Sequence, residues 1–254
     1  MVFATCRSAN LRLKHKKCKF ARRSVEYLGH VVSDQRLLPS PHNTKKLEDM
    51  AIPTNIEGVR SFLGMANYYK RFVPEFAETA APIIRLLRKD NPFEWNQEQD
   101  AAFYAIKIAL TSPPLLAFPD QQQVQILTTD ASGIALGAVL SQSPQGTSDK
   151  ETVIAYESRI LRGPELRYSA VHQEALAVVW AVHKFRHYLA GRHFILRTDN
   201  AALTYVFSNL NRPSPKLQCW SAALMEYDFE VEHHPGRLNP ADALSRLVHP
   251  PDFP

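Results

Sequence analysis

Apolar positions along the chain change period twice. Over residues 24–32, Val25, Tyr27 and Val31 alternate with other neighbours as in a short strand, and Gly29 marks a bulge or a close backbone approach. Across residues 39–119 the spacing turns helical and is punctuated by prolines. Val59, Phe62, Leu63, Ala66, Tyr69 and Phe72 form one stripe, which stops before Pro74. Thr54 is the expected cap of that helix, with Glu57 three positions on completing a capping box. Two more helices are predicted over about residues 75–88 and 97–110, the second carrying Ala101, Phe103, Ile106 and Leu110.

After Gln123 the two-residue period returns. Val124, Ile126 and Thr128 alternate with Gln125, Leu127 and Thr129, and Asp130 to Gly133 break the run. Residues 134–140 are apolar on both faces, as in a central strand. A polar hairpin loop follows at 143–150, then a third strand at 152–156. Ser169 opens a long helix reaching about residue 189, with Val171, Ala175, Val178, Val182, Phe185 and Leu189 on one face. A strand at 193–198, a helix at 201–207, a helix from Ser214-Pro215 to about 226 and a strand through Phe229, Val231 and His233 complete the pattern. Pro235-Gly236 then turns the chain into a last helix, capped by Asn239 with Pro240 in its first position. Strands alternating with helices in this order define an α/β domain.

Composition narrows the picture a little. The 254 residues carry 30 Lys+Arg against 25 Asp+Glu, a formal net charge of +5, compatible with a nucleic-acid partner. No apolar run is long enough to span a membrane. Cys6, Cys18 and Cys219 form no CxxC, so neither a zinc site nor a disulfide framework is indicated, and a reducing intracellular setting fits best. The first segment is Arg/Lys-rich with no acid before Glu26; a transit peptide and a basic domain surface both fit that composition. Lys70, Arg71, Arg85, Arg88 and Lys89 are either a solvated helical face or phosphate contacts.

The candidate chemistry lies in four acids. Asp130 ends the first strand of the second half, and Glu174 falls within the apolar face of the long helix. Asp199 ends the fourth strand, and Asp242 lies in the first turn of the last helix. Each has an ordinary explanation alone: a turn residue, a Glu at the edge of its stripe, a helix cap, a carboxylate favoured by the helix dipole. Topology joins them. A right-handed crossover sets the first and fourth strands side by side and parallel, so Asp130 and Asp199 meet at neighbouring strand ends. Glu174 and Asp242 can approach from helices flanking that edge. Carboxylates brought together repel unless cations join them. Hard oxygen ligands select Mg²⁺ or Mn²⁺, and a pair of such ions serves phosphodiester hydrolysis.

The chain resembles the C-terminal half of the reverse transcriptase of gypsy-type LTR retrotransposons, over nearly its whole length. KCKF and VEYLGHVVS are similar to the end of the palm and its primer-contacting region. RSFLGMANYYKRFVPEF, AAPI, PFEWNQEQDAAF and SPPLLAFPD are similar to the thumb and connection. TTDASGIALGAVLSQ, HQEALAVVWAVHKFRHYLAGRHF, RTDNAAL and HPGRLNPADALSR match the ribonuclease H domain in sequence and order. The resemblance implies a palm remnant at 1–38, a helical thumb and connection at 39–119, a ribonuclease H-like domain at 120–248 and a tail at 249–254. That domain would be a mixed five-stranded sheet flanked by helices. Asp130, Glu174, Asp199 and Asp242 become its metal-binding acids with two Mg²⁺ or Mn²⁺ ions, and Arg60, Lys70, Arg71 and Asn200 its nucleic-acid contacts.

The implied activity is endonucleolytic hydrolysis of the RNA strand of an RNA–DNA hybrid, by a chain without the YxDD signature and so without expected primer extension. The implied partners are the hybrid and the polymerase portion or a reverse transcriptase subunit, with no membrane. The implied setting is a cytoplasmic virus-like particle or the nucleus. The alternative is a catalytically silent fragment that grips nucleic acid or a polymerase, and a DNA-cutting nuclease on a related fold is a further rival. Two departures stand out: Asp34-Gln35-Arg36 where relatives carry a Gly, and Asn200 where many carry His. With the helical region as the source of phosphate contacts, residues 121–254 alone are expected to fold but to hold hybrids more weakly.

Overall fold

The computed structural model describes residues 2–14, 16, 18–33, 36–88, 92–112, 114, 116–144, 151–203 and 214–234. A short helix, α1 (Val2–Ser8), precedes a four-stranded antiparallel sheet. Three of its strands are consecutive: β1 (Ser24–Tyr27), β2 (His30–Ser33) and β3 (Arg36–Pro39). The fourth, β4 (Leu116–Ala117), comes from the far end of the helical region and pairs with β3. Leu28 and Gly29 turn the β1–β2 hairpin with positive φ angles of 46° and 71°. The close approach expected at Gly29 is present. A β-carbon there would lie 3.0 Å from both Asn43 Nδ2 and the Tyr69 hydroxyl. Tyr69 donates to the Gly29 carbonyl at 2.7 Å, Tyr68 donates to that of Leu28, and Asn43 Nδ2 donates to Tyr69.

The helical region comprises α2 (Pro41–Glu48), α3 (Ile56–Tyr68), a 3-10 turn (Lys70–Phe72), α4 (Phe76–Arg85) and α5 (Gln97–Thr111). The stripe read from the sequence is its core, with Val59, Phe62, Ala66 and Phe72 buried against Phe103, Ile106 and Leu110. The cap of α3 differs from expectation. Asn55, not Thr54, sits in the extended conformation (φ −155°, ψ 171°) and accepts from the Gly58 amide at 2.8 Å. Both residue types cap well, and only the chain's entry angle decides between them. Glu57 thereby falls one position early for a capping box and serves the helix dipole alone. α5 carries such a box instead, between Asn96 and Gln99.

The second sheet has five strands in the order β7-β6-β5-β8-β9. β5 (Val124–Ala131), β6 (Ala135–Ser143) and β7 (Thr152–Ile160) run antiparallel. β8 (His193–Thr198) lies parallel to β5, as the crossover argument requires, and β9 (Asp228–His233) lies parallel to β8. α6 (Ala170–Lys184) covers one face together with α8 (Pro215–Leu224), packing on Leu127, Leu140, Phe194 and Leu196. The long helix expected to reach residue 189 is interrupted at Phe185 (φ −97°, ψ 13°) and resumes as the short α7 (Arg186–Leu189). The ring of Phe185 stays buried, so the apolar period runs on through the backbone break. The helix expected at 239 and most of that at 201–207 lie outside the described residues.

The other face of the second sheet is covered by the helical region. Val139 and Tyr156 belong to the same buried cluster as Phe72, Phe76 and Ile83, with Val153 packed against it. At this seam the buried Ala77 amide, in the first turn of α4, donates to Ser158 Oγ of β7 at 2.8 Å. Glu157, also of β7, pairs with Lys70 at 3.0 Å and with Lys184 at 3.4 Å.

Candidate metal centre

Asp130 stands near the end of β5 opposite Gly137 of β6, and it is half-buried. The last pair between β5 and β8 is Thr129 with Thr198, so Asp199, one residue on, emerges beside Asp130. Glu174 comes from the second turn of α6 and is only 6% exposed. Each of the three offers a carboxylate oxygen within 4.8 Å of the others. No other group of this kind occurs among the described residues.

The surroundings of Glu174 are consistent with a cation site. Its Oε1 accepts from the Ala131 amide at 3.2 Å, while Oε2 is buried with no hydrogen-bond partner. Burial first, then the charges of Asp130 and Asp199, push its pKa from 4.5 up to about 8, against the opposing effect of the Ala131 amide. A buried carboxylate oxygen without a donor is costly, and a divalent ion at this point removes the cost. The residues present therefore fit the expected group: three hard oxygen donors, with one of them otherwise unsatisfied.

Asp199 is held by its surroundings. His233 of β9 donates from Nε2 to the Asp199 carbonyl at 3.0 Å, and the His234 amide donates to the Thr198 carbonyl at 2.9 Å. Asn200 Oδ1 accepts from the Ala202 amide at 3.0 Å, so Asn200 supplies the capping bond considered for Asp199. Below the site, the guanidinium of Arg197 is buried and pairs with Glu151 at 2.6 Å and Glu232 at 2.7 Å, tying β8 to both sides of the sheet. The sequence pattern marked His233 only as a strand position and gave Arg197 no role. Neither carries a local motif that would have found it.

Asp242 lies outside the described residues. Arg60 is exposed on α3, where it lines a shallow groove with Thr54, Asn55, Glu57 and Phe93. Lys70 and Arg71 turn towards the seam rather than the acids: Lys70 pairs with Glu157, and Arg71 donates to the Ile154 carbonyl at 3.4 Å.

Residues 120–227 match the family described as the RNase H-like domain found in reverse transcriptase, so the second half of the chain is an RNase H-like domain of that class. Over 97% of its length the chain is 39% identical to the Retrovirus-related Pol polyprotein from transposon 297 and 40% identical to that from transposon 412, both of Drosophila melanogaster. It is 35% identical over 251 residues to the Transposon Tf2-3 polyprotein of Schizosaccharomyces pombe. The chain belongs with these LTR-retrotransposon Pol polyproteins of the gypsy type, as their C-terminal reverse transcriptase region with its RNase H-like domain. It spans 23%, 20% and 19% of the length of those three relatives.

Among solved structures, a foamy viral protease-reverse transcriptase in complex with double-stranded DNA superposes with a TM-score of 0.73, at 19% identity, covering 92% of this chain and 42% of that one. The same viral protein in complex with an RNA/DNA hybrid gives 0.69 at 19% identity, covering 85% and 30%. These likenesses carry the fold.

Proposed function

We propose that the chain hydrolyses the RNA strand of RNA–DNA hybrids with divalent cations held by Asp130, Glu174 and Asp199. Asp242 joins them on the strength of its place in the sequence motif. The observation that carries the reading is Glu174 Oε2, buried and unpartnered where three carboxylates converge. Asp130, Glu174 and Asp199 would hold Mg²⁺ or Mn²⁺, which when bound would supply Lewis acidity towards the attacking water and the leaving 3′ oxygen. The chain's own residues prepare the place. The β5–β8 register sets Asp130 and Asp199 side by side, α6 brings Glu174 from beneath, and His233 fixes the backbone of Asp199. The RNA/DNA hybrid in the foamy viral complex supports the choice of substrate. Backbone and 2′-hydroxyl contacts distinguish RNA from DNA in such a duplex, and Arg60 and Asn200 are the proposed contributors from this chain. No helix among the described residues is long and apolar enough to cross a membrane, and the likeness to retrotransposon polyproteins supports an intracellular setting, in a cytoplasmic virus-like particle or the nucleus.

The test is a cleavage panel of hybrid, duplex RNA and duplex DNA, each with Mg²⁺ and with excess chelator. Cutting of RNA in the hybrid alone, leaving a 5′ phosphate and only with cation, is expected. Binding without cleavage would make the chain the silent module, and cleavage of duplex DNA would make it a nuclease of another class.

A further inference from the structure

The acids of the metal centre come from β5, α6 and the end of β8, yet Asp130 also has a neighbour from the other half of the molecule. Side chains along β5 alternate between the two faces of the sheet. Leu127 packs under α6, so Thr128 and Asp130 fall on the opposite face, with Val139 and Tyr156, where the helical region lies. The residue that reaches them there is Glu75, at the start of α4. Its backbone is left-handed (φ 47°, ψ 34°), a conformation uncommon for any residue but glycine. Although it occupies the cap position, its side chain makes no capping bond to α4. Ser158 of β7 takes up the buried Ala77 amide instead and fixes this end of α4 to the sheet.

The Glu75 side chain extends over Gly137, the cross-strand partner of Asp130. Its Cγ lies 3.9 Å from where a β-carbon of Gly137 would stand. Glu75, Asp130, Thr128, Gly137, Val139 and Tyr156 together line a small cleft of about 10 Å³, room for about one water. A left-handed residue at a docked helix start, whose side chain passes over the glycine opposite Asp130 and shares a cleft with that aspartate, carries backbone strain with no capping bond to α4 in return.

We propose that Glu75 is a positioning carboxylate of the metal centre, supplied by the helical region and acting through Asp130. It orients the Asp130 carboxylate through one water in the shared cleft, which donates to both carboxylates, and adds negative charge from the side of the helical region. Cation affinity then depends on the docking of α4 against β6 and β7. The inference rests on the reading of Asp130, Glu174 and Asp199 as a cation site.

The experiment is calorimetric titration of the full chain with Mn²⁺, alongside thermal unfolding without cation. The variants are Glu75→Gln, Glu75→Gly and Asp130→Asn. Glu75→Gln keeps shape and backbone and should weaken Mn²⁺ binding several-fold, raising by a similar factor the Mn²⁺ concentration that half-saturates hybrid cleavage. Glu75→Gly should weaken Mn²⁺ to the same extent while unfolding at a higher temperature, because glycine adopts the left-handed backbone freely. Unchanged Mn²⁺ affinity in both, with loss of binding in Asp130→Asn, would overturn the role of Glu75 and leave the metal centre standing. Unchanged affinity in Asp130→Asn would overturn the metal centre itself, and this inference with it.

Discussion

At the scale of the residue, Glu174 shows the conflict between stability and function. Its folded-state pKa of about 8 stands above the ordinary 4.5, so without cation the folded chain keeps a proton that the unfolded chain releases. Stability of the cation-free protein therefore falls as pH rises from about 4.5 to about 8, and levels off beyond. Glu174→Gln removes that loss. At pH 8.5 without cation the variant should be more stable than the parent, by on the order of a few kcal/mol, while stabilisation by Mg²⁺ disappears. Thermal unfolding from pH 5 to 9, with and without Mg²⁺, checks both; a Gln variant less stable across the whole range would contradict the account. That Asp130 and Asp199 end up side by side was legible from the sequence, because strand periodicity and crossover handedness fix their places. Their support was not. Nothing local to His233 or Arg197 shows that one holds the Asp199 carbonyl and the other lies buried between Glu151 and Glu232.

At the scale of the element, α4 and the turn before it join the helical region to the second sheet. The buried Ala77 amide depends on Ser158 Oγ. Ser158→Ala leaves it without an acceptor and should cost about 1–3 kcal/mol in denaturant unfolding. No loss would mean that water replaces the hydroxyl and that the docking is looser than the structure shows. Lys70 gives a second test. Spacing alone left it open as a phosphate contact or a solvated residue, because a one-dimensional pattern does not show what a helix end faces. It faces Glu157. Lys70→Ala should then leave the salt dependence of hybrid binding unchanged and cost at most about 1 kcal/mol of stability, the pair being partly exposed. A slope shallower by about 0.9 per log unit of salt would return Lys70 to the nucleic acid. The cap of α3 has a similar cause: Thr54 and Asn55 are equivalent in pattern, and the tertiary path selects Asn55.

At the scale of the molecule, the helical region and the RNase H-like sheet share a core through Val139, Tyr156, Phe72 and Phe76. The sequence predicted the two halves separately, since each has its own period, and set their boundary at about residue 119. The contact between them has no period of its own, and neither does the pairing of β4 with β3. The seam alters the expectation that residues 121–254 fold independently. That fragment exposes Val139, Val153 and Tyr156 together, a contiguous apolar patch where α4 should lie. It should unfold at a markedly lower temperature than the full chain and self-associate, checked by calorimetry and light scattering. A monomeric fragment as stable as the full chain would show that the helices add nothing to the sheet.

If the convergent acids hold the cations that cut RNA, loss of one acid abolishes cleavage and spares binding. The most direct test compares the full chain with Asp130→Asn, a change that removes charge at nearly constant volume. Both are assayed for hybrid binding by fluorescence anisotropy and for RNA-strand cleavage in Mg²⁺. Binding within a few-fold of the parent is expected, with cleavage lower by at least about a thousandfold, the scale on which metal-assisted hydrolysis depends on its ligands. Cleavage by Asp130→Asn at the parental rate would contradict the cation role of these acids.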